Sequence, residues 1–173
     1  MLENTRKVLD AFSLNVISEA KANLSKNTSS GSLAKSLDYE IQMLTYDFLV
    51  TFYGTDYANF VDEGVQGKDP SRVGGRNKAP SSRFKFGSGK GSGRGTLRGA
   101  IDKWVVRKNL KGVRDKKTGR FVSRKSQVYL ISRSIYFTGL RPTLFFTKPF
   151  EKYQRGLQPR LEEALVMDIE KEL

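Results

Sequence analysis

The sequence predicts an α+β fold: a small antiparallel sheet packed against helices, a long N-terminal helix, a C-terminal helix and a long basic Gly/Ser-rich insert. Three observations point there. Apolar residues recur at helical spacing near both ends of the chain. Aromatic and β-branched residues alternate between Tyr39 and Phe52. The middle third abandons both periods. A length of 173 residues suits one domain, 1–173, with 66–95 as a flexible basic insert within it and 111–125 as a second basic loop.

The first helix is expected from Glu3 to about Lys26. Leu9, Phe12, Val16, Ala20 and Leu24 form its stripe, with Lys7, Asp10, Glu19 and Lys21 off it. Asn27 to Ser32 closes it in a loop, and Ser32 is placed to cap a short turn of helix through Leu37. Tyr39, Ile41 and Met43 then alternate with polar residues, as do Tyr46, Phe48, Val50 and Phe52, which reads as two strands turning near Leu44-Thr45. A short helix follows over Tyr57–Glu63, stopped by Gly64.

From Gln66 to Gly95 no period survives, and the composition predicts loop or disorder in the free protein. At ~30 residues the segment exceeds an ordinary connection. Thr96 is placed to cap a helix carrying Leu97, Ile101, Trp104, Val105 and Leu110 on one side, with Trp104 as an anchor against the sheet. Asp115 to Arg120 reads as a tight turn of a small hairpin closing with Phe121-Val122. Ser126 is placed to cap the next helix, which Gly139 ends and Pro142 blocks. Leu144-Phe145-Phe146 is a short apolar stretch, Thr147 caps a helix around Pro149, and Pro159 forces a kink or restart at Gln158. Leu161, Leu165 and Ile169 are the expected last buried stripe.

Charge is concentrated. From Lys68 to Lys125 there are nineteen Lys and Arg against three acids, while the remainder has twelve basic and fifteen acidic residues. The whole formal charge of +13 therefore originates in the middle third. Concentrated positive charge repels itself, so it implies a partner of dense negative charge. The residues placed to meet that partner, DNA or an acidic protein surface, are Lys85, Lys90, Arg94, Arg98, Arg107, Lys108, Lys111, Arg114, Lys116, Lys117, Arg120, Arg124 and Lys125. A solvated face that keeps a subunit soluble is the competing reading. Phe84 and Phe86 stand alone in a basic loop and are expected to pin it into a neighbouring subunit; Phe145, Phe146 and Phe150 are read as core, with an oligomer or partner interface as the alternative.

The chain has no cysteine and no histidine. That removes disulfides, thiolate metal sites, the commonest general base and the Ser-His and Cys-His nucleophile pairs. Gly87 to Gly95 is not a phosphate loop, because Gly89-Lys90 is followed by Gly91 and nothing strand-like precedes it. Asp62 and Glu63 read as solvent-exposed or as partners of a basic neighbour, and a nuclease would need acids in the basic segment, which holds only three. No enzyme, cofactor or metal is expected. No apolar run approaches the ~20 residues of a spanning helix, and the N-terminus lacks a signal-peptide layout, so the expectation is a soluble protein made intracellularly.

Three segments, taken in order, resemble one family: Ser30 to Leu37 followed by paired strands; Tyr57-Ala-Asn-Phe-Val-Asp-Glu-Gly64; and Ile101-Asp-Lys-Trp104, then Ile131 to Ile135, then Tyr136 to Phe150 with its Gly-Leu-Arg-Pro-Thr-Leu-Phe-Phe core. The order resembles the tail-completion, or head–tail joining, proteins of tailed double-stranded-DNA phages, from about Ser30 to the C-terminus. The resemblance implies a small α+β subunit without catalytic residues. It would form a homo-oligomeric ring at the neck of the virion or the head-proximal end of the tail, partnered by connector, neck or tail proteins and by duplex DNA in the channel. The long basic insert departs from that pattern. The runner-up is a non-catalytic nucleic-acid-binding protein acting as monomer or dimer.

Overall fold

The computed structural model describes residues 2–25, 31–45, 47–88, 96–110, 112, 114 and 118–171. The fold is α+β, with two small antiparallel sheets among helices. Although the length suits one domain, contacts group into two compact units: Met1–Ala58 with Leu144–Leu173, and Asn59–Thr143.

The first unit is built on α1 (Glu3–Ser25), whose predicted stripe of Leu9, Phe12, Val16, Ala20 and Leu24 is buried. α2 (Ser32–Ser36) follows, but its cap position is Gly31, with φ of 64°, and Ser32 instead meets the Tyr57 hydroxyl at 3.1 Å. The strands β1 (Asp38–Met43) and β2 (Phe48–Tyr53) pair in the register Ile41↔Val50 and Met43↔Phe48. The Leu44 N–H donates to the Asp47 carbonyl at 2.8 Å, and β2 begins at Phe48, two residues later than the alternation from Tyr46 suggests. Tyr46 lies outside the described residues.

Phe52 on β2 projects into an aromatic cluster with Phe12, Phe146 and Phe150, at centroid separations of 5.2–6.3 Å. Edge-to-face ring pairs of this kind add to simple area burial. The last two rings come from the turn before, and the body of, α6 (Thr147–Gln154), whose Pro149 is fully buried. The chain restarts as α7 (Leu157–Glu170), one residue before the expected Gln158, with Pro159 in the first turn, where no intrahelical N–H is required.

α7 corrects one expectation. Its inner stripe is Leu157, Leu161, Ala164 and Asp168, while Leu165 and Ile169 are exposed. The apolar 161/165/169 spacing was a real helical stripe, but the aspartate won the inner face because it satisfies the N-terminus of α1: its carboxylate accepts from Asn4 N, Thr5 N and Thr5 Oγ1.

The second unit contains α3 (Ala58–Glu63, whose first residue belongs to the first unit), β3 (Val65–Gln66), a 3-10 turn at Pro70–Val73, α4 (Thr96–Arg107), α5 (Arg124–Thr138) and β4 (Gly139–Leu140). β3 and β4 pair antiparallel, Val65 opposite Leu140. Gly64 and Gly139 end α3 and α5 as expected, with φ of 72° and 90°. At both positions, and at Gly67, a Cβ would overlap backbone of the facing strand or helix end.

Over 66–88 the chain is irregular, as expected, with only the end of β3, a 3-10 turn and an isolated bridge, but its backbone is hydrogen-bonded to the rest of its unit. Gln66 N–H donates to Phe84 O (2.8 Å), Phe86 N–H returns to Gln66 O (3.0 Å), and Lys68 and Lys78 donate to Tyr136 O and Thr138 O. Ser82 Oγ, buried, donates to Gly64 O at 2.7 Å. The segment satisfies its backbone against β3 and the end of α5, partners that leave no periodic trace in its own sequence. Residues 89–95 lie outside the described residues.

Two cap assignments also move. α5 begins at Arg124 because Ser123, not Ser126, caps it, its Oγ accepting the Ser126 N–H at 3.2 Å. α6 begins at Thr147 itself, with Phe146 in the cap position and no side-chain cap. No helix among the described residues is long and apolar enough to cross a membrane.

Candidate polyanion-binding face

α4 and α5 pack against each other in the second unit. Among the described side chains of α4 only Val105 is buried and Leu97, Ile101, Asp102 and Trp104 are half-buried, while Arg98, Lys103, Val106 and Arg107 are exposed. The two helices are tied by a two-pronged ion pair: Arg124 Nε donates to Asp102 Oδ1 at 2.8 Å and Nη2 to Oδ2 at 2.6 Å. The fork geometry fixes the guanidinium plane. Hydrogen bonding from Arg124 holds the Asp102 carboxyl below its ordinary range, and the same bonds raise the guanidinium.

Around this pair lies an open cavity of about 500 Å³, lined by Asp102, Lys103, Val106, Arg107 and Arg124. Three cations converge on it and one carboxylate answers them. Lys103 and Arg107 are one helical turn apart, so both reach the same side. An anion entering here would meet Arg124 already oriented and two further cations free to adjust.

Two more cations of the predicted set rest on aromatic rings. The Arg98 guanidinium lies 4.9 Å from the Tyr129 ring centroid and that of Arg114 lies 4.4 Å from Phe121. Arg114 also pairs with Phe121 in an isolated antiparallel bridge, while Asp115 to Lys117 of the expected turn lie outside the described residues. A ring beneath a guanidinium holds it in place without neutralising it.

The structure treats the predicted site residues unequally. Lys85, Arg98, Arg107, Lys108, Arg114, Arg120, Arg124 and Lys125 are exposed. Arg107 and Arg124 meet at the cavity, Arg98 and Arg114 rest on rings, and Lys85 sits in a bridge to Gln66. Lys90, Arg94, Lys111, Lys116 and Lys117 lie outside the described residues. Sequence reasoning left out Lys103 from the contact set and gave Asp102 no role. The four-residue step from Lys103 to Arg107 was the signal for the first; the partner of Asp102 stands 22 residues away and left none.

The aromatic residues singled out in the sequence all make ring contacts or are buried within the chain. Phe84 packs at a tilt against Phe60 at 4.3 Å and Phe86 against Tyr136 at 5.8 Å, so both rings hold the 66–88 segment to its own unit rather than to a neighbouring subunit. Phe145 is 2% exposed and the half-buried Phe146 and Phe150 belong to the Phe12–Phe52 cluster, in line with the core reading of these rings. Glu63 pairs with Arg83 at 2.9 Å within the chain, and Asp62 is buried. Among the described residues no three acidic side chains gather as a metal site would require.

No family model, no curated protein and no solved structure matches the chain.

Proposed function

We propose that this chain is a structural subunit of the neck of a tailed double-stranded-DNA phage. It would assemble with copies of itself into a ring that joins head and tail, or completes the head-proximal end of the tail. Its work is mechanical and electrostatic, with no reaction of its own. The partners are neighbouring connector or tail proteins and the duplex DNA that a neck channel carries.

The observation that carries this reading is the difference in charge between the two units. The Asn59–Thr143 unit holds twenty-one Lys and Arg against five acids, whereas the rest of the chain holds ten against thirteen. A chain with one near-neutral unit and one strongly cationic unit suits a building block that self-associates through one part and faces phosphate with the other. A second observation supports the resemblance on which the word neck depends. The Tyr57–Gly64 and Tyr136–Phe150 segments are far apart in sequence, yet Thr143 N–H donates to Val61 O and Asp62 O, and Val65 pairs with Leu140. Parts of the two segments therefore meet within the Asn59–Thr143 unit.

The cationic arm is smaller than the sequence suggested, because 66–88 is folded onto its own unit. The α4–α5 face and the cations beyond the described residues carry the electrostatic role in its place.

Electron microscopy of particles carrying a tagged copy of this chain tests the reading directly. A ring at the head–tail junction is expected. A monomer that binds no virion protein, and binds free DNA tightly with a steep salt dependence, would overturn it in favour of a nucleic-acid-binding protein.

A further inference from the structure

α7 buries an acid and exposes its aliphatics. Asp168 is 3% exposed, whereas Leu165, Val166 and Ile169 are 42%, 54% and 51% exposed. These three follow Glu162 at three- and four-residue steps, so they form one stripe along the helix. Glu162, Glu163 and Glu170 rim it. An isolated apolar side chain on a surface needs no explanation, but a continuous stripe rimmed by one sign of charge marks an interaction surface.

The second unit carries an exposed apolar face rimmed by the opposite charge. On α5, Tyr129 and Leu130 are 44% and 54% exposed, and Arg133 completes the same face one turn on. Arg98 lies over the Tyr129 ring and adds a second cation.

We propose that α7 of one copy docks on α5 of another copy of this chain. Leu165, Val166 and Ile169 meet Tyr129 and Leu130, and Glu162 and Glu163 face Arg133 and Arg98. Charge complementarity selects the occupant: two α7 stripes would oppose acid to acid, and two α5 stripes cation to cation. Because the contact joins two different faces, every bound copy still offers one of each. Such a contact propagates until it closes, whereas a self-complementary one stops at a pair. The inference rests on the ring reading above and gives that ring its joint.

The test uses pairs of variants that each lose one face. Glu162→Lys with Val166→Lys blocks α7; Leu130→Asp with Arg133→Glu blocks α5. All four side chains are exposed, and circular dichroism confirms that each variant is folded. By native mass spectrometry each variant alone is expected to be monomeric, and an equal mixture is expected to give a one-to-one dimer and nothing larger. Since the chain has no cysteine, Val166→Cys and Leu130→Cys add an independent readout. Mixed under mild oxidation, they are expected to form a disulfide-linked pair at least ten times more abundantly than either alone.

Wild-type rings that persist in both blocked variants would overturn the α7–α5 joint while leaving the neck assignment standing. So would a Val166→Cys chain that links to itself. A chain that stays monomeric at every concentration, yet binds a phage connector, would overturn the joint alone. A chain that neither self-associates nor binds any virion protein would overturn both.

Discussion

Asp168 receives two hydrogen bonds from Thr5, one from its backbone N–H at 2.8 Å and one from its hydroxyl at 2.9 Å, across 163 residues of sequence. The Asn4 N–H adds a third at 2.9 Å. The end of α7 thus supplies the N-terminal cap that α1 lacks in its own sequence. A carboxylate there answers orphan N–H groups and the positive end of the helix dipole together.

Burial pushes the Asp168 carboxyl upward, but the Thr5 and Asn4 donors, with Lys171 nearby, outweigh it and leave it below its ordinary range. A lowered folded-state value means the ionised form stabilises the fold. That contribution is fully present above the ordinary carboxyl range of about pH 4 and is lost as pH falls through the lowered value. Asp168→Asn is therefore expected to melt roughly 3–8 °C lower at neutral pH. The gap between variant and wild type should close as pH falls below about 4. Thermal melts from pH 7 down to pH 2.5 check this, and a gap that is constant with pH would show that the charge contributes nothing.

Three glycines interlock where α3, β3 and α5 meet, and a fourth offers a control. A methyl on Gly67 or Gly139 would overlap backbone of Phe137 or Val65, and Gly139 also needs its φ of 90°. Either Gly→Ala change is expected to cost at least about 3 kcal/mol, or to prevent folding. Gly99, within α4, has open space around it and an ordinary φ. Gly99→Ala is expected to stabilise by roughly 0.5–1 kcal/mol. Denaturant titration of the three variants separates the two classes.

The legible parts of this chain were those whose partners are periodic or local. The α1 stripe, the Tyr39–Phe52 hairpin and the glycine stops at 64 and 139 each follow from spacing or from one residue's conformational freedom. The order in 66–88 was invisible because its hydrogen bonds go to Tyr136, Thr138 and Gly64, and an aperiodic loop has no face to display. The facing of α7 was misread for the same reason. Hydrophobic spacing favoured Leu165 and Ile169, and only the distant Thr5 explains why Asp168 displaced them. In the candidate site the cation count was plain from composition. The orientation of Arg124 by Asp102 was not, since it needs two helices to meet.

The first unit depends on Phe12, which is 5% exposed and packs edge-on against Phe52 and Phe150 at 6.3 and 5.7 Å. Phe12→Ala removes the ring common to α1, the sheet and α6, and is expected to cost about 3–5 kcal/mol. Phe12→Leu keeps most of the volume and should recover more than half of that. Paired denaturant curves decide it. Equal losses in the two variants would mean that ring geometry, not filled volume, holds the cluster.

The α4–α5 cavity makes a quantitative claim about salt. Each phosphate contact that is lost should flatten the dependence of log binding constant on log salt by about 0.9. Lys103→Ala with Arg107→Ala is therefore expected to lower the slope for duplex DNA by roughly 1.8, without sequence preference. Asp102→Asn acts in the other sense: it releases Arg124 from its ion pair and removes a negative charge from the cavity, so the slope should steepen by up to about 1. Fluorescence anisotropy with a labelled duplex between 50 and 300 mM salt measures both. If the double variant and Asp102→Asn shift the slope in the same direction, the cavity is not where phosphate is met, and the loop cations outside the helices carry the contact.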